Sequence, residues 1–385
     1  MHPQAGGAEV RIHELGKRLV KSGCRVRLIC ERWPGSNESS VIDGIEIHRI
    51  GGRYDAHLRV PFLLKSEDYD VVIDDIAHAV PWFSPIFTQK PVIGQVHHVH
   101  GPILSFELPS ALANIVSFAE GSLRFVYNNI VVVSESTKSA LVKQYNFSPE
   151  HIKVVPNGVD LSFYRPSCKS KNPTVLWLGR VKRYKRVDHV LSAFKIVVKE
   201  IPNAQLLIVG EGDYLPALKR IRKQLGLSNV SFLGKVSEEE KVRLMGSSWV
   251  TVATSLVEGW CMSITESAAC SSAAVAYNVA GLRDSVVDKK TGILIKDGDT
   301  IALADAIVEL LNNEKFRNIL SENAFMHSKC QSWENSADDL LTILKDLPPS
   351  DSTSFNNFHL KQFSDYAFGQ INHRYALIKT ILSHR

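Results

Sequence analysis

Pro166-Ser167-Cys168-Lys169-Ser170-Lys171-Asn172-Pro173-Thr174-Val175-Leu176-Trp177-Leu178-Gly179-Arg180 is the stretch that decides the fold. A polar segment with a proline at each end gives way to a short apolar run, which stops at a glycine and a basic loop. The same pattern repeats on both sides of it. Before it, apolar runs rich in Val and Ile stand at 25–30, 45–50, 70–76, 91–96, 129–134 and 153–156, with helical stretches at 8–22, 105–127 and 136–145. After it they stand at 174–178, 205–209, 230–233, 249–253, 273–276 and 292–295, and helices at 300–312, 314–330 and 334–345 close the series. Runs that are apolar throughout, rather than alternating, read as parallel strands covered on both faces. Two such series joined by a polar linker predict an α/β chain of two doubly wound, Rossmann-like domains. The expected divisions are 1–165, 172–330, a C-terminal helix at 331–347, and a linker and appendage at 348–385 opened by Pro348-Pro349-Ser350.

Composition agrees with that division. The 385 residues exceed one ordinary core and suit two. With 44% hydrophobic and 22% charged residues the mix is that of a soluble globular protein, and no apolar run is long enough to span a bilayer. The start, Met1-His2-Pro3-Gln4, does not read as a secretory signal. Six cysteines lie far apart without a C-x-x-C pair, which argues against a zinc knuckle or disulfide framework and fits a reducing cytoplasm. A net charge of +5 suits anionic small molecules or an acidic membrane surface without deciding between them.

The residues that carry chemistry follow strands. Glu258-Gly259-Trp260-Cys261-Met262-Ser263-Ile264-Thr265-Glu266 spans a strand end, a glycine turn and the first turns of a helix. Glu258 in the loop can accept hydrogen bonds from sugar hydroxyls, and Glu266 farther along can accept a pair from a ribose. Between them the free N–H groups of the helix start favour a diphosphate. Gly179-Arg180-Val181-Lys182-Arg183-Tyr184-Lys185-Arg186 follows the run at 174–178, where ligands of open α/β sheets bind, so Arg180 and Lys185 can neutralise a departing phosphate. Weaker signals are Gly6-Gly7 opening the first helix, Gly210-Glu211-Gly212-Asp213 after a strand, Phe232-Leu233-Gly234-Lys235 bordering a nucleobase, and His97, His98 and His100 at another strand end. The spacing of the histidines is not a metal signature and no carboxylate sits nearby in sequence, so they do not read as a metal site. Asp74-Asp75 reads as a helix cap or turn.

Taken together these segments resemble the retaining, nucleotide-sugar-dependent glycosyltransferases of the two-domain GT-B fold. The stretches that carry the resemblance are Ala5-Gly6-Gly7-Ala8-Glu9, Val133-Ser134-Glu135-Ser136, Val155-Pro156-Asn157-Gly158-Val159-Asp160, Gly179-Arg180 with Lys185, Gly210-Glu211-Gly212, Phe232-Leu233-Gly234, Glu258 to Glu266, and Ala280-Gly281-Leu282, in order across roughly residues 2 to 345. The resemblance implies a cleft between the domains. Arg180 and Lys185 hold the donor diphosphate there, Glu258 binds the transferred sugar and His97 lines its site. The wider donor set is Gly6, Gly7, Gly210, Glu211, Val236, Trp260, Cys261, Met262, Ser263 and Glu266. It also implies no metal and no cofactor beyond the nucleotide-sugar co-substrate, a glycan, lipid-linked or small-molecule acceptor, and no nucleic-acid partner.

Three features depart from the family pattern. Cys261 stands where the family has a second glycine, and Ser271-Ser272-Ala273 replaces Gly-Thr-Pro. The glycine turn Gly6-Gly7 lacks the strand it should follow, so the expectation is a missing first strand whose neighbours are left with unpaired edges. Two alternatives therefore stand beside the transferase: a non-catalytic nucleotide-sugar-binding paralogue and a nucleotide-sugar epimerase. The apolar stretch 101–127 beside the basic residues Arg11, Lys17, Arg18 and Lys21 of the first helix adds an expected peripheral contact with the inner face of a membrane.

Overall fold

The structure, a computed structural model, describes residues 6–347 except 53, 54, 67, 78 and 79; the segment expected as linker and appendage lies outside the described residues. Strands β1 (Arg27–Glu31), β2 (Ser39–Ile42), β3 (Ile45–Ile50), β4 (Val72–Ile76), β5 (Val92–Val96), β6 (Ile130–Val132) and β7 (Ile152–Val154) come from the first half. Strands β8 (Thr174–Leu178), β9 (Gln205–Val209), β10 (Val230–Gly234), β11 (Val250–Ala253), β12 (Ala273–Tyr277) and β13 (Gly292–Ile295) come from the second.

The second half is one parallel sheet in the order β10-β9-β8-β11-β12-β13. From β8 the chain winds outward to β10, then returns to β11 beside β8 and winds the other way to β13. The reversal therefore falls between β8 and β11, and the crevice at their carboxyl ends is where such sheets bind ligands. Helix Val187–Glu200 buries Val187, Val190, Leu191, Phe194 and Val197 completely, an apolar stripe at helical spacing that packs with helix Thr300–Asn312 over the sheet. This is the largest buried apolar cluster among the described residues.

The first half differs from the expected single wound sheet. Strands β4-β5-β6-β7 form one parallel sheet and β1-β3-β2 form another, and among the described residues no ladder joins β1 to β4. Strand β2 is antiparallel to β3, against the all-parallel reading. The cause is local: Asp43 and Gly44 both take positive φ, at 50° and 80°, which is the turn that closes a two-residue hairpin. The helix expected at 105–127 is two helices, Gly101–Glu107 and Ser110–Val126. Leu108 is extended because Pro109 follows it and disfavours the helical region for the residue before.

The chain crosses between the halves twice, side by side. Val159 N–H donates to the Gln331 carbonyl at 2.8 Å, and Ser336 Oγ donates to the Pro156 carbonyl at 2.8 Å. Helix Trp333–Lys345 then packs back on the first half, where Trp333, Ala337 and Leu340 meet Leu15 and Leu19 of helix Gly7–Lys21.

That packing corrects the expected basic face of the first helix. Arg11 is fully buried and holds the Pro156 carbonyl at 3.0 Å and Asn157 Oδ1 at 2.7 Å, and burial lowers its pKa to about 10. Arg18 is also buried and pairs with Glu14 and Glu334, while Lys17 pairs with Glu14. In 101–127 Ile103, Leu104, Leu123, Phe125 and Val126 are core, Leu108, Val116 and Phe118 are half-buried, and Phe106, Leu112 and Ile115 face solvent. No described helix is long and apolar enough to cross a membrane.

Candidate active site

The switch point between β8 and β11 puts two loops side by side. The loop after β8 carries Arg180 and Lys185, and the loop after β11 carries Glu258. Hydrogen bonds stitch them together: Thr254 Oγ1 donates to the Lys185 carbonyl at 3.0 Å, and Arg186 donates to the carbonyls of Thr254 and Ser255, each at 2.9 Å. Lys185 Nζ forms an ion pair with Glu258 Oε1, and Ser255 Oγ donates to the same oxygen at 2.5 Å. Burial disfavours the charge on Lys185, but Glu258 outweighs it and holds the lysine above the ordinary range, so the cation persists. Arg180 is exposed, and no described carboxylate pairs with it.

Across the cleft the first half presents its own glycine turn and histidine loop. A carbon added at Gly6 would lie 3.8 Å from Arg180 Cζ, and one at Gly7 would lie 3.2 Å from Met262 Sδ. Gly259 meets the loop after β5 so closely that an added carbon would stand 1.7 Å from the His97 carbonyl oxygen. Only glycine allows that approach. The basic loop, the glutamate loop, the glycine turn and His97 thus converge on one place.

His97 is held by Asp75, whose Oδ1 is 2.6 Å from the ring Nε2 and accepts Gln95 Nε2 at 2.7 Å. This corrects the reading of Asp74-Asp75 as a cap or turn. Both lie within β4, whose alternation sends them to opposite faces. Asp74 points into the core, where it binds Ser84 and Tyr127, and burial raises its pKa. Asp75 faces the strand-end histidine. His98 is half-buried beside His97, His100, Lys185 and Arg180, and desolvation first, then those groups, hold its pKa well below the usual value. It is neutral at pH 7, so it adds no third charge to Arg180 and Lys185.

Helix Met262–Ala269 starts at this junction with no side-chain cap, so its first N–H groups are open to an anion. Cys261 is buried, its N–H bonded to Ser285 Oγ at 3.0 Å and its sulfur 3.4 Å from Ser263 Oγ. Burial lifts the thiol to about 11, so it stays protonated and fills space rather than reacting. Trp260 Nε1 donates to Thr265 Oγ1 at 2.9 Å and closes the turn between the two glutamates.

The remaining expected residues lie behind this front. A carbon at Gly210 would come within 1.9 Å of the Gly179 carbonyl, and the Glu211 carbonyl accepts Val181 N–H at 2.8 Å. The Gly210–Glu211 turn therefore backs the basic loop. Val236 packs with Val159, Tyr164, Leu176 and Val209. Glu266 is buried and bonded to Tyr164 and Lys241, two partners that the sequence reading does not contain. Their positions in sequence, 102 and 25 residues from Glu266, carry no periodic signal.

Two family models divide the chain between them. "Glycosyltransferase Family 4" matches residues 5–163 and "Glycosyl transferases group 1" matches residues 163–327. The chain belongs to the nucleotide-sugar glycosyltransferases. Among curated proteins this glycosyltransferase is 24% identical to the D-inositol 3-phosphate glycosyltransferase of a Nocardioides species, covering 89% of this chain and 85% of that one. It is 25% identical to the N-acetyl-alpha-D-glucosaminyl L-malate synthase of Bacillus anthracis, covering 84% of this chain and 89% of that one. Among solved structures it resembles sucrose-phosphate synthase from Thermosynechococcus elongatus, with a TM-score of 0.76, 19% identity, and coverage of 89% and 93%. It also resembles Anabaena HepE in complex with UDP-glucose, with a TM-score of 0.75, 18% identity, and coverage of 89% and 97%. At those identities the two structures speak for the GT-B fold.

Proposed function

We propose that the chain is a retaining, metal-independent hexosyltransferase that binds its donor across the cleft. The observation that supports this reading is the convergence of Gly6 with Arg180, Gly7 with Met262, and Gly259 with His97. In the proposed reaction the bond between the sugar's anomeric carbon and the diphosphate oxygen breaks. The acceptor hydroxyl oxygen bonds to that carbon on the same face, and its proton passes to the departing diphosphate oxygen. Arg180, Lys185 and the start of helix Met262–Ala269 neutralise the departing diphosphate. Glu258 and His97 hold the transferred sugar, with Asp75 fixing the imidazole.

Cations from side chains replace those of a metal in this scheme, and among the described residues no group of three His, Cys, Asp or Glu comes together as a ligand set. Transfer is expected to proceed undiminished in EDTA. Activity that disappears on chelation and returns with magnesium or manganese would refute metal independence.

The acceptors named for the two curated relatives, an inositol phosphate and malate, are anionic. The first half offers a predominantly basic surface: a pocket of ≈ 280 Å³ at the ends of β1 and β3 lined by Arg32, Arg49 and Arg59 with Phe62, Leu63 and one carboxylate, Glu38, Arg59 also pairing with Asp55. Leu58 and Phe62 of helix Ala56–Ser66 face solvent beside it. Guanidinium groups next to exposed apolar side chains suit a phosphate carried on a lipid at a membrane surface. The protein is expected to sediment with anionic liposomes at low salt and not with neutral ones. Recovery in the supernatant with both would favour a water-soluble acceptor.

A further inference from the structure

We infer that Tyr164 and Lys241 are positioning residues that hold the Glu266 carboxylate for the hydroxyls of the donor ribose. The inference rests on the donor-binding reading above and names the residues that make it work.

Three elements meet at this carboxylate. Glu266 stands on helix Met262–Ala269, Lys241 on helix Glu238–Ser247, and Tyr164 on the connection that leads from β7 to β8. Tyr164 OH lies 3.0 Å from Glu266 Oε1. Lys241 Nζ lies 3.1 Å from Oε1 and 3.0 Å from Oε2, and also 2.8 Å from Tyr164 OH. Glu238 completes the group, with its Oε2 3.1 Å from both Tyr164 OH and Lys241 Nζ.

The proton count is lopsided. A lysine brings three N–H donors and a tyrosine one O–H, whereas two carboxylates offer about eight lone-pair sites. Burial works against the charge on Lys241, yet the two carboxylates outweigh it and raise its pKa, so the lysine stays protonated. The cluster carries one positive and two negative charges and is short of donors. Glu238 is 63% exposed on its side chain and can turn to water, whereas Glu266 is 8% exposed and cannot. Both of its oxygens already meet a donor, and the lone pairs left over can accept further donors from a ligand. A ribose edge supplies two hydroxyls. Glu266 is also one helical turn beyond Met262, so a diphosphate at the helix start would bring a ribose alongside it.

The test compares binding of UDP, GDP and ADP with their 2′-deoxy counterparts by calorimetry, taking the tightest diphosphate as the probe. It uses wild type, Tyr164→Phe, Lys241→Met, Lys241→Arg and Glu266→Ala. Tyr164→Phe keeps the ring in its apolar cluster and removes only the hydroxyl, so it serves if the lysine variant folds poorly. Wild type is expected to prefer the ribonucleotide. Tyr164→Phe and Lys241→Met are each expected to weaken ribonucleotide binding about tenfold, leave the 2′-deoxy affinity nearly unchanged, and so collapse the preference. Lys241→Arg is expected to restore part of it. If Glu266→Ala abolishes the preference while Tyr164→Phe and Lys241→Met keep the wild-type ratio, the positioning role is overturned and the ribose assignment stands. If Glu266→Ala itself keeps the ratio, the ribose assignment falls and the inference with it.

Discussion

Replacing Arg180 by Ala is expected to slow sugar transfer about a hundredfold while leaving the melting temperature unchanged. The side chain is exposed and unpaired with any described carboxylate, so the folded state loses little. A carbon added at Gly6 would lie 3.8 Å from its Cζ, at the mouth of the cleft where the proposed reaction develops charge on a leaving diphosphate. Removing one such group costs on the order of 3 kcal/mol in the transition state. Lys185→Ala is expected to lose at least as much rate, but also stability, because it strands the mostly buried Glu258. Removing one partner of a buried pair costs about 3 kcal/mol or more. Expecting both variants to fold equally well from their shared basic loop would overlook that ion pair. Single-turnover rates and thermal melts on both variants check this; rates within twofold of wild type would remove both residues from the mechanism.

The second large effect separates the two glutamates. Glu258→Gln is expected to lower kcat about a hundredfold, because this carboxylate pairs with Lys185 and lies beside the Gly259–His97 contact, where the proposed reaction holds the sugar. Glu266→Gln is expected to raise the donor KM about tenfold with a much smaller change in kcat. A remote ribose contact is made equally in the ground and transition states. Initial rates over a range of donor concentrations distinguish the two. The reverse ordering in kcat would mean that the roles are exchanged.

The second domain was the more legible from sequence. Its strands are short, apolar and bounded by glycine or polar turns, and the topological reversal at β8 and β11 then places Arg180, Lys185 and Glu258 together by rule. In the first half, periodicity alone misjudged features that single residues control. Asp43-Gly44 makes a hairpin and Pro109 splits a helix, and both are local signals carried by one or two residues. Other features had no local signal at all. Asp75 becomes a partner of His97 only because β4 and β5 are neighbours. Arg11 and Arg18 look like a solvated basic face until the crossover and helix Trp333–Lys345 fold over them. Tyr164 and Lys241 reach Glu266 through tertiary packing of three elements. Contacts made across the fold follow no period in the chain, and these make up the supporting ring of the site.

The central claim is tested most directly by presenting the protein with a panel of nucleotide sugars and following both thermal stability and nucleotide release. One donor at a hundred times its dissociation constant is expected to stabilise the fold by about 2.7 kcal/mol. The same donor is expected to be consumed with release of one nucleoside diphosphate per sugar, slowly to water and faster with an acceptor, and Arg180→Ala is expected to slow the release about a hundredfold. Stabilisation without any release would make the protein a binder. Interconversion of sugar nucleotides with no free nucleotide would make it an epimerase. Either result would contradict the account.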